Sequence, residues 1–213
     1  DLANPKLSEG ARKARSSVEA RYLSKPELYG DVRIVHWGDV AKTLPAEKFD
    51  FILTARSIHG WMQDEPNTVQ DTFLEFHKAL KPGGVLGIEQ HRGRDDWDPK
   101  ARAEGGYVPE PYLIKYLESA GFKFEGKSEV NANPQDTKDY PDGVWTLPPT
   151  LTKGDTDRDK YLAIGESDRM AVRNDRADNK RDEHAQRRCE DVALPVHVTR
   201  NDLFLGCELD DVR

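Results

Sequence analysis

Phe49-Asp50-Phe51-Ile52-Leu53-Thr54 and, beyond one helical stretch, Leu80-Lys81-Pro82-Gly83-Gly84-Val85-Leu86-Gly87-Ile88-Glu89 decide the fold of this chain. The first is a strand-length apolar run. Between the two, Thr68 to Leu80 places Phe73, Phe76, His77 and Leu80 on one helical face. Proline cannot continue that helix and glycine relaxes the backbone into a turn, so Lys81 to Gly84 reads as a stop, with a strand over Val85 to Glu89 directly behind it. Strand, helix and strand in succession form the unit of a parallel sheet with helices packed on its faces.

The alternation extends in both directions. Leu7, Ala11, Ala14, Val18 and Leu23 predict an amphipathic helix over 6–25 that ends near Pro26 and Gly30. Val32 to Trp37 predicts a short strand, with Gly38-Asp39 turning behind it. Pro109 to Ala120 predicts a helix closed by Gly121, Phe122 to Val130 a strand, and Arg169 to Arg173 a last strand. Residues 131–160 are rich in Pro, Asp, Gly and Thr, and so long a connection reads as functional or as an insertion. Asn174 to Arg188 is almost wholly charged or polar, which predicts an atypical charged tail over 174–213, loosely attached to a domain spanning 1–173.

Composition narrows the function classes. The 213 residues carry 32 basic and 39 acidic side chains, a formal charge of −7, so broad binding to a phosphate backbone or an anionic membrane loses its main driving force. Hydrophobic residues make up 36%, enough for one good core with an exposed remainder. No apolar run approaches the length that crosses a bilayer. Cys189 and Cys207 form no disulfide framework, and no Cys/His set has zinc-ligand spacing. A reducing, cytoplasmic compartment is the expectation; an exported precursor stays open, because the sequence starts at Asp1 without an initiating Met. Asp155, Asp157, Asp159 and Glu166 have calcium-loop spacing, but Lys160 stands where the loop needs glycine, so a solvated acidic loop is expected and no metal.

The Phe49-Asp50 strand, the helix ending in Leu80-Lys81-Pro82-Gly83-Gly84 and the following strand resemble the second half of a class I S-adenosylmethionine-dependent methyltransferase. Ala55 to Trp61, Glu89-Gln90-His91-Arg92, Gly106-Tyr107 and Trp145 to Pro149 look like a bacterial branch of predicted methyltransferases, over roughly 1–173. The resemblance implies an α/β, Rossmann-like methyltransferase fold with a mostly parallel sheet and helices on both faces. It implies S-adenosyl-L-methionine as cofactor, with Asp39 at the adenine, Asp1 at the ribose, and Thr54 and Arg56 at the methionyl part. His59 and His91 are then the candidate bases. Trp61, Arg92 and Tyr107 would contact a small-molecule acceptor, with neither nucleic acid nor membrane as partner.

On this reading the sequence begins where the family's second strand ends. The first strand and its glycine-rich turn are missing, so weak or no cofactor binding is expected unless another segment fills the gap. The tail is either an added segment or the product of a shifted reading frame. Two other functions remain: a non-catalytic remnant or interaction domain of the same fold, and a nicotinamide-dependent oxidoreductase, which lacks its Gly-x-Gly-x-x-Gly turn.

Overall fold

The computed structural model describes residues 9–32, 44–63, 68–176 and 204–207. The backbone divides into two units, Asp1–Pro45 and Ala46–Arg213.

In the first unit, helix α1 (Glu9–Leu23) has Glu9 in its first turn and Arg21 in its last, each complementing the helix dipole. Pro26 starts a single further turn, α2 (Pro26–Tyr29), and Gly30, at φ 71°, ends it. The expected helix is present, yet Leu23 is 56% exposed. The expected strand over Val32 to Trp37 lies, from residue 33 onward, outside the described residues, as does Asp39.

In the second unit, β1 (Phe49–Ala55) pairs in parallel with β2 (Leu80–Gly93), and the crossover between them includes α3 (Ile58–Trp61) and α4 (Thr68–Ala79). Val69, Thr72, Phe73, Phe76 and Ala79 are the buried face of α4, a spacing of three and four residues that sets one stripe inward. The Lys-Pro-Gly-Gly corner lies within β2 and does not precede it. Phe49 is opposite Leu80 and Phe51 opposite Val85, so residues 81–84 bulge out of the ladder. The two motifs hold one another there: Lys81 Nζ donates to both oxygens of Asp50, at 3.1 and 3.0 Å. Both partners are about a third exposed, so the pair is worth less than about 1 kcal/mol and serves mainly register. Gly84 is required at the corner, because a Cβ would stand 2.9 Å from Lys81 O and 3.2 Å from Asp50 O.

Beyond β2 come α5 (Pro99–Arg102), the two-residue β3 (Val108–Pro109) parallel to the end of β2, α6 (Glu110–Ser119) and β4 (Phe122–Ser128). The 131–160 stretch holds a 3-10 turn (Gly143–Thr146) and the start of α7 (Arg158–Ile164). β5 (Arg169–Arg176) then inserts between β4 and β2, antiparallel to both, and β6 (Phe204–Cys207) lies antiparallel against the other edge of β1. The sheet order is β4-β5-β2-β1-β6. The expected α/β class is therefore present, with the parallel pairs gathered at β1, β2 and β3. Its core is Ile52, Phe73, Phe76, Leu80, Leu86, Leu113 and Leu117, all fully buried.

Of the segment read as a tail, residues 174–176 belong to β5 and 204–207 to β6; the remainder lies outside the described residues. Asn174, where the composition changes, sits opposite Leu86 and Phe124 with no exposed surface, and neither side-chain polar atom has a hydrogen-bond partner among the described residues. Burying an unpaired amide costs about 1–3 kcal/mol. Asn174→Leu is therefore expected to raise stability by about that amount in urea unfolding; a loss of stability would show that the amide is satisfied.

Candidate active site

The parallel pair brings two strand ends together. Ala55 is opposite Glu89, and there the chain leaves the sheet through Arg56, a non-glycine residue at φ 55°. That left-handed conformation costs about 1 kcal/mol and is held by an Arg56 N–H bond of 2.7 Å to Glu89 O. Ser57 Oγ donates to Ala55 O at 3.2 Å, and Ile58 N–H donates to Gln90 Oε1 at 3.2 Å. The turn after β1 is thus tied to β2, which seats His59 beside His91 with ring centroids 5.8 Å apart.

Trp145 closes the pair from the 3-10 turn, edge-on to His59 at 5.5 Å and to His91 at 6.1 Å. Its turn is seated by a glycine contact: Val144 N–H donates to Gly105 O at 3.0 Å, and a Cβ on Gly143 would fall 2.1 Å from that same oxygen. Thr54, Ser57, His59, Glu89, Gln90, His91 and Ser167 are all buried, a concentration of polar side chains at the carboxyl ends of β1 and β2.

Two arginines share one carboxylate at the site. Arg56 Nε lies 3.8 Å from Glu89 Oε2, and Arg169 Nε pairs with Glu89 Oε1. Burial raises the Glu89 pKa against the pull of the two arginines. Burial also lowers His59 to about 4; its bond to Gln90 acts the other way, and Arg56 adds to the lowering. His91 is pushed well below its ordinary value by burial, then by His59, Arg56 and Arg169. Both imidazoles are neutral at pH 7.

The structure brings Arg56, His59 and His91 together and buries Thr54 near the end of β1. It places three other expected residues elsewhere. Arg92 is enclosed by carboxylates, bonding Asp168 at 3.1 and 3.0 Å and Glu129 at 3.0 and 2.6 Å, with Glu110 at 3.7 Å. Tyr107 is buried and its hydroxyl donates to Asp136 at 3.0 Å. Trp61 stands edge-on to Phe73 and Phe76 of α4, at 6.2 and 6.0 Å. Asp1 and Asp39 lie outside the described residues. Among the described residues no three His, Cys, Asp or Glu side chains form a metal-binding group, and no helix is long and apolar enough to cross a membrane.

Among solved structures, the chain is similar to the 4+2 cyclase SpnF, with TM-score 0.51 and 16% identity over 79% of this chain and 64% of that one. This likeness carries the fold. The chain shares the Rossmann-like α/β fold of that structure. Similarity also extends to a SAM-dependent methyltransferase from Aquifex aeolicus, at TM-score 0.43 and 17% identity over 80% of this chain and 65% of that one. A third, a SAM-dependent methyltransferase from Methanosarcina mazei, has TM-score 0.47 and 12% identity over 81% and 80%. The chain thus spans less than two thirds of the first two structures. No family model and no curated protein sequence matches it.

Sequence reasoning gave no role to Gln90, Trp145, Ser167 or Arg169. Gln90 and Trp145 stand inside the motif stretches quoted above, where an uncharged amide and an indole among loop residues carry no signal of their own. Ser167 reaches His91 across 76 residues of sequence, a contact that no local pattern announces.

Proposed function

We propose that this chain is a class I S-adenosylmethionine-dependent methyltransferase of the bacterial branch its motifs resemble, acting on a small-molecule acceptor. The observation that carries the reading is the buried polar group at the carboxyl ends of two parallel strands, the place where open α/β sheets hold their ligands. The motif resemblance and the shared fold add to it. The formal charge of −7 favours a small acceptor over nucleic acid.

The residues present fit an adenosyl sulfonium in two respects. His91 Nε2 is a buried polar atom with no protein partner among the described residues, and Arg56, Arg169 and Glu89 set both signs of charge beside it, as an amino-acid moiety requires. Thr54 and Arg56 would border that moiety. When bound, the cofactor supplies an electrophilic methyl group. The chain's own contribution is alignment, worth several orders of magnitude when the reacting atoms are held close. His59, His91 and Trp145 would line the acceptor side and exclude water.

Calorimetric titration of the full chain with S-adenosylhomocysteine tests this. Weak but saturable binding is expected, lowered about tenfold further by Arg56→Ala, a loss of about 1.4 kcal/mol. Absence of saturable binding would overturn the proposal in favour of a non-catalytic domain of the same fold.

A further inference from the structure

His59 and His91 are held by different partners in the same way. The Gln90 side chain is pinned by two backbone groups whose roles are fixed: its Oε1 accepts from Ile58 N–H at 3.2 Å and its Nε2 donates to Gly106 O at 3.1 Å. Flipping the amide would set donor against donor and acceptor against acceptor. Nε2 is therefore the atom 3.1 Å from His59 Nδ1, and it donates. A neutral imidazole that accepts at Nδ1 carries its hydrogen on Nε2.

At His91 the partner is a hydroxyl. Ser167 Oγ lies 2.6 Å from Nδ1, and among the described residues it has no other hydrogen-bond partner. Were the hydroxyl to accept from Nδ1–H, its own proton would be left without an acceptor; donating to Nδ1 instead puts the hydrogen of His91 on Nε2, where a ligand can take it up, and this is the arrangement that matches His59. His91 is nine-tenths or more buried, and its Nε2 is unpartnered among the described residues. Arg56, Arg169 and the paired Glu89 are the charged groups around the two rings, and the cations oppose a second proton on either.

We infer that His59 and His91 are a pair of Nε2–H donors for an acceptor oxygen that bears or gains negative charge, with Gln90 and Ser167 as positioning residues. This differs from the base role that residue type suggests. A base needs an unprotonated nitrogen facing its proton, and here both unprotonated nitrogens are already bonded. The inference deepens the methyltransferase reading and rests on it only for the source of the oxygen, which is either the methionyl carboxylate of the cofactor or an oxygen of the methyl acceptor. Two fixed donors that need no reorganisation favour an oxyanion more than they would in water.

Nitrogen NMR of the full chain with isotope-labelled histidine tests the pair, because long-range couplings separate the two tautomers. Both rings are expected to be neutral and protonated at Nε2 near pH 7. Protonation at Nδ1 of either ring in the unmodified chain would overturn the inference, and that measurement needs no variant to fold. Ser167→Ala is expected to mix the tautomers of His91 while leaving His59 unchanged, which a purely structural role for Ser167 would not do.

Four probes, acetate, S-adenosylhomocysteine, methylthioadenosine and para-nitrophenolate, then locate the oxygen. S-adenosylhomocysteine shifting both Nε2 resonances, where methylthioadenosine does not, assigns it to the cofactor carboxylate. A shift on adding para-nitrophenolate to the S-adenosylhomocysteine complex assigns it to the acceptor. No shift with acetate, S-adenosylhomocysteine or para-nitrophenolate overturns the pair as a binding site. If acetate shifts both rings and S-adenosylhomocysteine fails to bind, the donor pair stands and the methyltransferase reading falls. Binding to a chain with an Nδ1–H ring has the opposite meaning.

Discussion

Replacing Asp168 with alanine is expected to cost about 2–3 kcal/mol of stability, because it leaves Lys138 without its carboxylate and takes from Arg92 one of the three that surround it. Asp168 Oδ1 accepts from Arg92 Nη2 and from Asn133 N–H, both at 3.0 Å. Its Oδ2 accepts from Arg92 Nε at 3.1 Å and from Lys138 Nζ at 2.8 Å. The side chains of Arg92 and Lys138 are only 17% and 15% exposed, so solvent replaces little of what the carboxylate supplies. The backbone joins in: Asp168 N–H donates to Asp136 Oδ2 at 2.7 Å, and Asp136 also holds the Tyr107 hydroxyl. One carboxylate therefore gathers β2, the 131–138 loop and the start of β5.

Burial alone would raise the Asp168 pKa; the bonds from Arg92 and Lys138 outweigh it and leave the group below its ordinary 3.8. A depressed folded-state pKa gives stability that is present above about 3.8 and is lost as pH falls through the lower folded value. Urea midpoints of the wild-type chain should fall across that acid range, and those of the alanine variant should fall less. A loss under about 1 kcal/mol on substitution would mean that the cluster behaves as an exposed ion pair.

Gly143→Ala is expected to be comparably severe for a different reason. Its Cβ would stand 2.1 Å from Gly105 O and 2.5 Å from Gly105 Cα, backbone atoms that cannot rotate away. The backbone there is also left-handed, at φ 55°. Overpacking and conformational strain together are worth about 3 kcal/mol or more. Relief requires the 3-10 turn to lift, taking Trp145 from its edge contacts with His59 and His91. Unfolding would give the energy, and a changed tryptophan emission would report the displaced turn. Gly154→Ala is the control: it too has positive φ, 62°, but nothing within 4 Å of the added Cβ, so only the strain of about 1–2 kcal/mol should remain. Equal losses at the two positions would show that the contact with Gly105 yields easily.

What could be read from sequence is what depends on neighbours in the chain. The apolar run from Phe49, the stripe through Phe73 and Phe76, and the punctuation at Pro82 and Gly83 act over a few residues, and β1, α4 and β2 lie where those signals put them. The corner itself differed, because pairing of Leu80 with Phe49 draws the strand back across the prolyl turn. Within the site, His59 and His91 stood out by residue type. Their setting did not, since a tautomer depends on Gln90 and Ser167, and a buried amide or hydroxyl looks no different in sequence from an exposed one. Arg92 and Tyr107 illustrate the same limit. Their chemistry suits a ligand, but Asp168 and Asp136 arrive from 76 and 29 residues away and engage both. The abrupt change of composition at Asn174 did carry a physical message, visible in the amide that β5 buries there without a partner among the described residues.

β6 has a consequence for how such a chain is made. Its partner β1 ends at Ala55, and β6 begins at Phe204. At roughly 5–20 residues per second, a ribosome would take about seven to thirty seconds to translate the intervening stretch. Throughout that interval the outer rim of β1 would lack this partner while the nascent chain is still tethered, a window in which chaperone occupancy would decide whether the chain reaches its own closing segment or a neighbour's.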